Sequence, residues 1–294
     1  MPNDIYHTKA VLDLIDRTLD EDLGTNGDCT VAALVTPTAR LNGVITAKQA
    51  GVICGLPILT PIMAAVAARQ GTGPVVIDAL EPDGSVVQPG TVVVRLHGDA
   101  RTILMGERSA LNIAQRLSGC ASVAATCAAL ISGTRAQVYD TRKTTPGMRS
   151  LEKHAVICGG CRNHRQGLYD QILIKENHIA LMGNNDGPAA AVRQAKAHNP
   201  GVLVEVEIER LEDLAPVIAA GADIVLLDNM DCAALREAVA IRGTSACELE
   251  ASGGITRHNL RAVAETGVDR ISIGALTHSV EALDLSLRCT VMDA

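Results

Sequence analysis

VLVEVEIERLEDLAPVIAAGADIVLLDN, residues 202–229, sets two apolar strand-like runs, Val202–Val206 and Ile224–Leu227, on either side of the amphipathic stretch LEDLAPVIAAG. Each run ends in acid, Glu207 after the first and Asp228-Asn229 after the second. Buried strand, helix and buried strand read as a parallel unit with a right-handed crossover. Outward from it the rhythm recurs. Ala136–Tyr139, Gln171–Ile174, Cys247–Leu249 and Arg270–Ile273 are further strand-like runs, and RHNLRAVAETG is another amphipathic helix. Repeats of about 20 to 25 residues in the later part suit an α/β barrel.

The strand ends carry the functional argument. They read Asp140-Thr141-Arg142-Lys143, Lys175-Glu176-Asn177-His178, Glu207, Asp228-Asn229, Ser252-Gly253-Gly254 and Gly274-Ala275. In a parallel barrel all strand C-termini open on one face, so these groups converge there. Taken singly, each could be a solvated loop residue; six alike predict a site.

The first third reads as a mixed α/β unit. Residues 9–20 (KAVLDLIDRTLD) and 57–69 have helical spacing, strands are expected at 41–47 and 52–54, and PDGSVVQPGTVVVRLHGD carries two turn signals around short strands. A long helix is expected over 107–131.

Composition narrows the chemistry. The 294 residues are 47% hydrophobic but include no Phe or Trp and only three Tyr, so Leu, Ile, Val and Ala must fill the core. Lack of aromatic platforms argues against binding single-stranded nucleic acid. The net charge of −7 argues against polyanions generally. Residues 135–175 are the exception. They hold eight Lys or Arg (Arg135, Arg142, Lys143, Arg149, Lys153, Arg162, Arg165, Lys175) against Asp140, Glu152 and Asp170, a local balance of +5 that leaves −12 elsewhere. Such an island predicts a site for a small, strongly anionic ligand.

Nine scattered Cys without a disulfide-like framework suggest a reducing compartment. Cys158 and Cys161 form a single C-x-x-C, which lacks the second half of a zinc site. No apolar run approaches membrane-spanning length, and MPNDIYHTK has no signal pattern, so a soluble, cytoplasmic protein is expected.

Arg142, Lys143, His164, Arg165 and Lys175 come from three consecutive segments that a barrel would gather. Guanidinium groups take carboxylates or phosphates through paired hydrogen bonds, and lysine adds a point charge. Gathered cations repel unless anions fill the space, so the ligand should carry several carboxylate or phosphate groups; the plainer alternative is a surface salt-bridge patch. Ser252-Gly253-Gly254 and Gly274-Ala275-Leu276 follow the last two strands, where barrels often bind phosphate, and Thr256 or Asn259 could support the helix start after the first. Glu207 and Asp228 end adjacent strands, expected opposite the basic side. Facing a phosphosugar, they could hold Mg²⁺ through water or accept ribose hydroxyls. His178, His258 and His278 are too dispersed for a metal cage.

These residues resemble a known family. DTRKTTPGMRSLEKHAVICGGCRNHRQGLYDQILIKENHI, Asp140 to Ile179, is similar to the signature of the quinolinate phosphoribosyltransferases, which are nicotinate-nucleotide pyrophosphorylases (carboxylating). EDLGTNGDCT, GERSALNIAQRLSG, EVEI, GADIVLLDN, EASGG and TGVDRISIGALTHS resemble it in order and spacing, from Glu21 to about residue 288. The related molybdenum-associated ModD proteins depart around Asp140 and in the segment with Arg162, Asn163 and Lys175.

The resemblance implies an N-terminal α/β sandwich (1–114, with the tail 280–294 packed on it) and an incomplete, seven-stranded α/β barrel (115–279). It implies a pentosyltransferase of NAD biosynthesis that joins quinolinate to phosphoribosyl pyrophosphate, forming nicotinate mononucleotide, pyrophosphate and carbon dioxide. It also implies Mg²⁺ bound with the pyrophosphate substrate, with no direct protein metal site, and a homodimer in which Arg108 serves the neighbouring subunit. Carried over by position, Arg108, Arg142, His164, Arg165 and Lys175 hold the quinolinate carboxylates, Thr141 lies with them, and Lys143 sits between the substrates. Glu207 and Asp228 meet the ribose and Mg²⁺. Ser252, Gly253, Gly254, Gly274, Ala275 and Leu276 hold the 5′-phosphate, with His278 nearby. Catalysis falls to Lys143, Lys175, Glu207 and Asp228. One departure is visible: Gly159-Gly160-Cys161 stands where the family commonly has three glycines. Two rivals remain, a Schiff-base aldolase using Lys175 and a relative that binds without turnover.

Overall fold

In RLNGVITA, residues 40–47, Gly43, Ile45 and Ala47 are buried, every second residue, as a strand with one covered face requires. The computed structural model describes residues 5–182 and 187–292. The expected readings on residues 1–4 and 293–294 lie outside these. Two compact units interleave along the chain. Met1–Ala125, Thr144–Gly160 and Val280–Ala294 make the first; Thr126–Lys143 and Cys161–Ser279 make the second.

In the first unit, β1 (Arg40–Ala47) is flanked by β5 (Val92–Asp99), which carries β3 (Val75–Ala79) beyond it. On its other side runs β12 (Leu285–Val291), antiparallel from Leu41↔Val291 to Ala47↔Leu285. β2 (Gly51–Val52) pairs with β4 (Val86–Val87). The two turn signals fall at Gly84 and Gly90, with φ of 94° and 93°, a region open to glycine. The helices are α1 (Lys9–Leu23), α2 (Cys29–Leu34), α3 (Leu59–Gln70), the start of α4 (Ala100–Leu130) and α5 (Arg149–Cys158). Branched aliphatics such as Ile15, Leu19, Ile45, Ile62, Ile103 and Leu117 fill the core, and Tyr6 is its one aromatic side chain among the described residues.

The second unit is the strand–helix alternation. β6 (Gln137–Tyr139), β7 (Ile172–Ile174), β8 (Val204–Ile208), β9 (Ile224–Asp228), β10 (Glu248–Ser252) and β11 (Arg270–Ser272) form one parallel sheet in the order β6-β11-β10-β9-β8-β7. A seventh position is a single residue wide: Arg162 makes an isolated parallel bridge to Tyr139. With α6 (Glu176–Leu181), α7 (Gly187–His198), α8 (Leu214–Ala219), α9 (Cys232–Arg242), α10 (Leu260–Ala264) and α11 (Ala275–His278) between strands, this is the incomplete α/β barrel that the sequence implies. Ile224, Val225, Leu226 and Leu227 are all buried, as expected of strands covered on both faces. No helix among the described residues is long and apolar enough to cross a membrane.

Candidate active site

Parallel register carries the strand ends to one place. Ser252 pairs with Asp228, Ile174 with Val206, and Ser272 with Tyr139. A cavity of about 610 Å³ opens there, lined by residues from each strand of the sheet or from the segment just after it. Thr141, Arg142 and Lys143 follow β6, His164 and Arg165 follow the bridge at Arg162, and Lys175 follows β7. Glu207, Asp228, Ser252 and Gly253, at the ends of β8, β9 and β10, also line it.

The cations are real neighbours. Burial first, then the charge of Arg142, hold the Arg165 guanidinium below its ordinary value. Two guanidinium groups felt by one another in a recess favour an anion between them. Arg165 is oriented by a hydrogen bond from Nη1 to the Gln171 carbonyl, 3.2 Å away. Lys143 is exposed, with its backbone N–H given to Thr141 Oγ1 at 3.1 Å and its carbonyl accepting from Thr277 Oγ1 at 2.8 Å.

Two expectations need correction. The acids do not stand apart from the basic side, because β7 and β8 are neighbours and Lys175 Nζ is ion-paired with Glu207 Oε2. Nor is the basic island one site. Arg142, Lys143, Arg165 and Lys175 line the cavity. Arg135 instead pairs with Asp269, Arg162 donates to Gln137, and Arg149 and Lys153 lie on α5 of the first unit.

His164 lines the cavity, yet both ring nitrogens are engaged below it. Nδ1 accepts the Arg165 backbone N–H at 2.7 Å, and Nε2 lies 3.0 Å from Glu205 and 3.6 Å from Glu250. Burial pulls its pKa down, but the hydrogen bond that Nε2–H donates to Glu205 and the charges of both glutamates prevail, and it lies above the ordinary histidine value. Beneath it, Gln171 Nε2 donates to Glu205 at 2.6 Å and Arg270 Nε to Glu250 at 2.6 Å, with the Arg270 guanidinium 3.8 Å over the Tyr139 ring. The sequence reading missed this layer. Its signal was the spacing in VEVEI and ELEAS: Glu205 with Glu207, and Glu250 with Ser252, are two apart and share a strand face. Leu173, Leu226 and Ser272 also line the cavity unforeseen, with Asn229 from the strand end expected there.

The glycine ends behave differently from each other. Gly253 has φ 87°, and a Cβ there would crowd the Asn229 backbone N at 2.9 Å and its side chain. Asn229 is the one non-glycine residue among the described ones at positive φ, 54°, and its N–H reaches the Ser252 carbonyl at 2.9 Å. Gly254 faces open space, with Asn259 Nδ2 on its carbonyl at 3.1 Å and Thr256 N–H on Asn259 Oδ1 at 2.7 Å. A Cβ on Gly274 would sit 3.0 Å from Lys143 Cδ and 2.9 Å from His278 Cδ2, so this strand end brings the lysine and the exposed His278 together. Ala275 is half-buried and Leu276 fully buried. His178 accepts the Lys175 backbone N–H at 2.9 Å and caps α6.

Arg108 lies on α4 in the first unit, well exposed, and lines a different cavity of about 430 Å³ with Glu21, Asp22, Asn112 and Arg116. The C-x-x-C also divides: Cys158 counts with the first unit and Cys161 with the second. Cys161 is buried and is not among the positive-φ residues, so a side chain costs nothing at the third place of the triplet. Gly159 is the position that needs glycine, since a Cβ there would meet Ala124 Cβ at 2.5 Å and the Ala125 backbone N at 2.9 Å.

Residues 28–118 match the quinolinate phosphoribosyl transferase N-terminal domain, and residues 120–288 match its C-terminal domain. A probable nicotinate-nucleotide pyrophosphorylase (carboxylating) of Bacillus subtilis is 40% identical over 280 residues, 95% of this chain and 93% of that protein. The nicotinate-nucleotide pyrophosphorylase (carboxylating) of Mycobacterium leprae is 38% identical over 280 residues, 95% of this chain and 96% of its own. The crystal structure of NadC from Streptococcus pyogenes shares the fold with a TM-score of 0.88 at 35% identity, covering 96% of each chain. Two adjoining domain matches, full-length relatives and a shared two-part fold give one answer: this chain belongs to the quinolinate phosphoribosyltransferase family.

Proposed function

We propose that the chain transfers the phosphoribosyl group of phosphoribosyl pyrophosphate to the nitrogen of quinolinate and releases carbon dioxide, in the de novo route to NAD. The observation that carries this reading is one cavity whose wall holds Arg142, Arg165 and Lys175 together with the glycine strand end at Ser252 and Gly253. The cations suit a pyridine dicarboxylate and the glycine end a sugar phosphate. Arg142 and Arg165 take the carboxylates, Thr141 closes their edge, and Lys175 divides its charge between substrate and Glu207. Lys143, placed by Gly274 beside His278, lies between the two ligands. Ser252, Gly253, Gly254, Gly274 and Ala275 receive the 5′-phosphate, with buried Leu276 anchoring the turn.

The pyridine nitrogen lone pair forms a bond to C1 of the ribose as the bond from C1 to pyrophosphate breaks. Glu207 and Asp228 stabilise the positive charge that develops on the sugar. The bond from C2 of the ring to its carboxylate then breaks and carbon dioxide leaves; the electron pair stays on C2, stabilised by the adjacent positive nitrogen, and bonds the incoming proton. Positioning and fixed charge do the work, with no covalent enzyme intermediate. Glu207 and Asp228 also offer an all-oxygen pair of the kind that holds Mg²⁺ together with substrate phosphates and water. The ion would neutralise the departing pyrophosphate. An amine nucleophile of the aldolase type needs an apolar or cationic setting, whereas Lys175 meets Glu207.

Incubating the protein with quinolinate, phosphoribosyl pyrophosphate and Mg²⁺ should yield nicotinate mononucleotide and carbon dioxide in equal amounts. Quinolinate bound without turnover would reduce the chain to a binding relative. Gly253→Ala should cost about 1–2 kcal/mol of stability in urea unfolding, because alanine resists the left-handed region. It should raise KM for phosphoribosyl pyrophosphate far more than KM for quinolinate.

The working assembly is a cytoplasmic homodimer in which Arg108 of each subunit completes its neighbour's site. Mixing Arg108→Ala with Lys175→Ala subunits should then restore roughly a quarter of the wild-type rate, the share of intact sites in a randomly reassorted two-fold dimer. Mixtures no more active than either variant alone would place Arg108 outside the neighbouring subunit's site.

A further inference from the structure

Outside the catalytic cavity, the first unit gathers four ligating side chains that the reaction does not use. Cys54 follows β2, Asp83 lies in the turn before β4, and His154 and Cys158 stand four apart on α5, hence on one helix face. One donor atom from each, two sulfurs, a nitrogen and an oxygen, lies within 4.8 Å of all the others. His154 Nε2 is 3.0 Å from Asp83 Oδ2 and 3.5 Å from Cys158 Sγ. Cys54 is fully buried, and the other three are part-buried. From this geometry we infer that Cys54, Asp83, His154 and Cys158 form a structural site for a tetrahedral, thiolate-preferring divalent cation, with Zn²⁺ the natural occupant.

The chemistry of the donor set selects the metal. Zn²⁺ takes sulfur and nitrogen at about 2.0–2.3 Å in a tetrahedron, whose corners then lie roughly 3–4 Å apart. The donors therefore need only a small contraction to close on an ion. Mg²⁺ and Ca²⁺ prefer oxygen alone and would not choose this set. With four protein ligands no coordination position remains for water or substrate, the mark of a structural site.

The surroundings fit such an ion as well. Asp83 Oδ1 accepts the Gly55 N–H at 2.8 Å, and the Tyr6 hydroxyl donates to Oδ2 while lying 3.9 Å from Cys54 Sγ. The Tyr6 ring meets the His154 ring edge-on, centroids 5.8 Å apart. Such outer contacts fix the orientation of ligands. Cys158 Sγ lies 3.5 Å from His154 Nε2, so the ligands on α5 already face one another. Two sulfurs, an imidazole nitrogen and a carboxylate oxygen converging on one point form a donor set suited to such a cation. The bound ion would fasten the turn at Asp83 and the segment at Cys54 to α5, which returns to this unit from the middle of the chain. The C-x-x-C of the sequence is not this site, since its Cys161 belongs to the second unit.

Full-length protein, stripped with chelator under reducing and oxygen-free conditions, is titrated with Co²⁺ and followed by absorption. Near-ultraviolet thiolate-to-cobalt charge transfer with strong tetrahedral visible bands should saturate at one ion per chain and vanish when one equivalent of Zn²⁺ is added. Zn²⁺ should raise the thermal midpoint. Both effects should be lost in Cys158→Ser and kept in Cys29→Ser, which alters an exposed cysteine elsewhere. Failure of Cys158→Ser to fold leaves the wild-type spectrum to decide. A weak octahedral spectrum, sub-stoichiometric saturation, or a Cys158→Ser spectrum equal to wild type overturns the site. So does a Cys54–Cys158 disulfide in protein prepared without reductant and held with excess Zn²⁺, which would make the pair a redox element instead.

Discussion

Arg142→Ala is expected to lower kcat/KM for quinolinate by about 10²–10³, the usual cost of deleting one preorganised charge partner. Arg142 shares the cavity wall with Arg165, whose guanidinium is held below its ordinary value by burial first and by Arg142 next. Two like charges kept together in a recess are unfavourable until a dianion arrives. Removing one halves the field that a dicarboxylate meets and deletes one paired hydrogen-bonding fork. Arg142→Lys keeps the charge but not the fork, so it should recover only part of the loss. Steady-state rates with each substrate varied in turn decide the matter. Apparent affinity for phosphoribosyl pyrophosphate should change little, and a loss spread evenly over both substrates would count against a carboxylate role for Arg142.

Lys175→Ala should be at least as damaging to turnover, about 10³ in kcat/KM by the same reasoning, but its signature differs because Lys175 also holds Glu207. The Glu207 side chain is only 9% exposed, so losing its cation leaves a charge with poor solvation. Its carboxyl already lies above the ordinary glutamate value. Burial is the main cause, Lys175 opposes it, and Glu176 and Asp228 add to it. A group raised in the folded state loses stability as pH climbs through its folded pKa. Deleting Lys175 lifts Glu207 further, so the stability deficit of the variant should be largest at neutral and alkaline pH and shrink on acidification. Lys175 is 42% exposed, which limits the deficit to about 1–2 kcal/mol. Adding Glu207→Gln should restore stability without restoring activity. Urea unfolding at several pH values measures the first, and initial rates the second. A double variant as unstable as Lys175→Ala would show that the pair is not coupled as the geometry requires.

The barrel was readable because most of its strands are short runs rich in Val, Ile and Leu that recur between amphipathic helices. IVLLD and VEVEI announce themselves, and each hands the chain to a polar cluster whose direction the parallel topology fixes. Hence Arg142, Arg165, Lys175, Glu207, Asp228, Ser252 and Gly253 could be gathered from sequence into one cavity before any coordinates. What stayed hidden depends on pairing between strands. The contact of Lys175 with Glu207 follows from β7 lying beside β8, which no single run records. Beneath His164, which the sequence did single out, lie Glu205 and Glu250 within β8 and β10 and Arg270 at the start of β11, none of them at a strand's C-terminal end. A reading that weighs only strand ends passes over them.

Three further features were hidden for other reasons. Helix α5 sits inside the 40-residue block that carries the family likeness, so its Arg149 and Lys153 were counted in the basic island although they fold with the first unit. The glycine triplet misled in the same way. Its demanding places are Gly159, for a close approach of helices, and Gly160, at φ 88°, whereas Cys161 asks for no special backbone. Asn229 at positive φ left no mark in sequence, because its conformation is set by the carbonyl of Ser252 on the neighbouring strand.

The gathered guanidinium and ammonium groups are held to exist for a ligand with two carboxylates, and titration calorimetry with quinolinate against nicotinate tests that directly. Quinolinate should bind at least about tenfold tighter, since the second carboxylate adds a charge-assisted pair of roughly 1.5–3 kcal/mol. Equal affinity for the two acids would contradict the account.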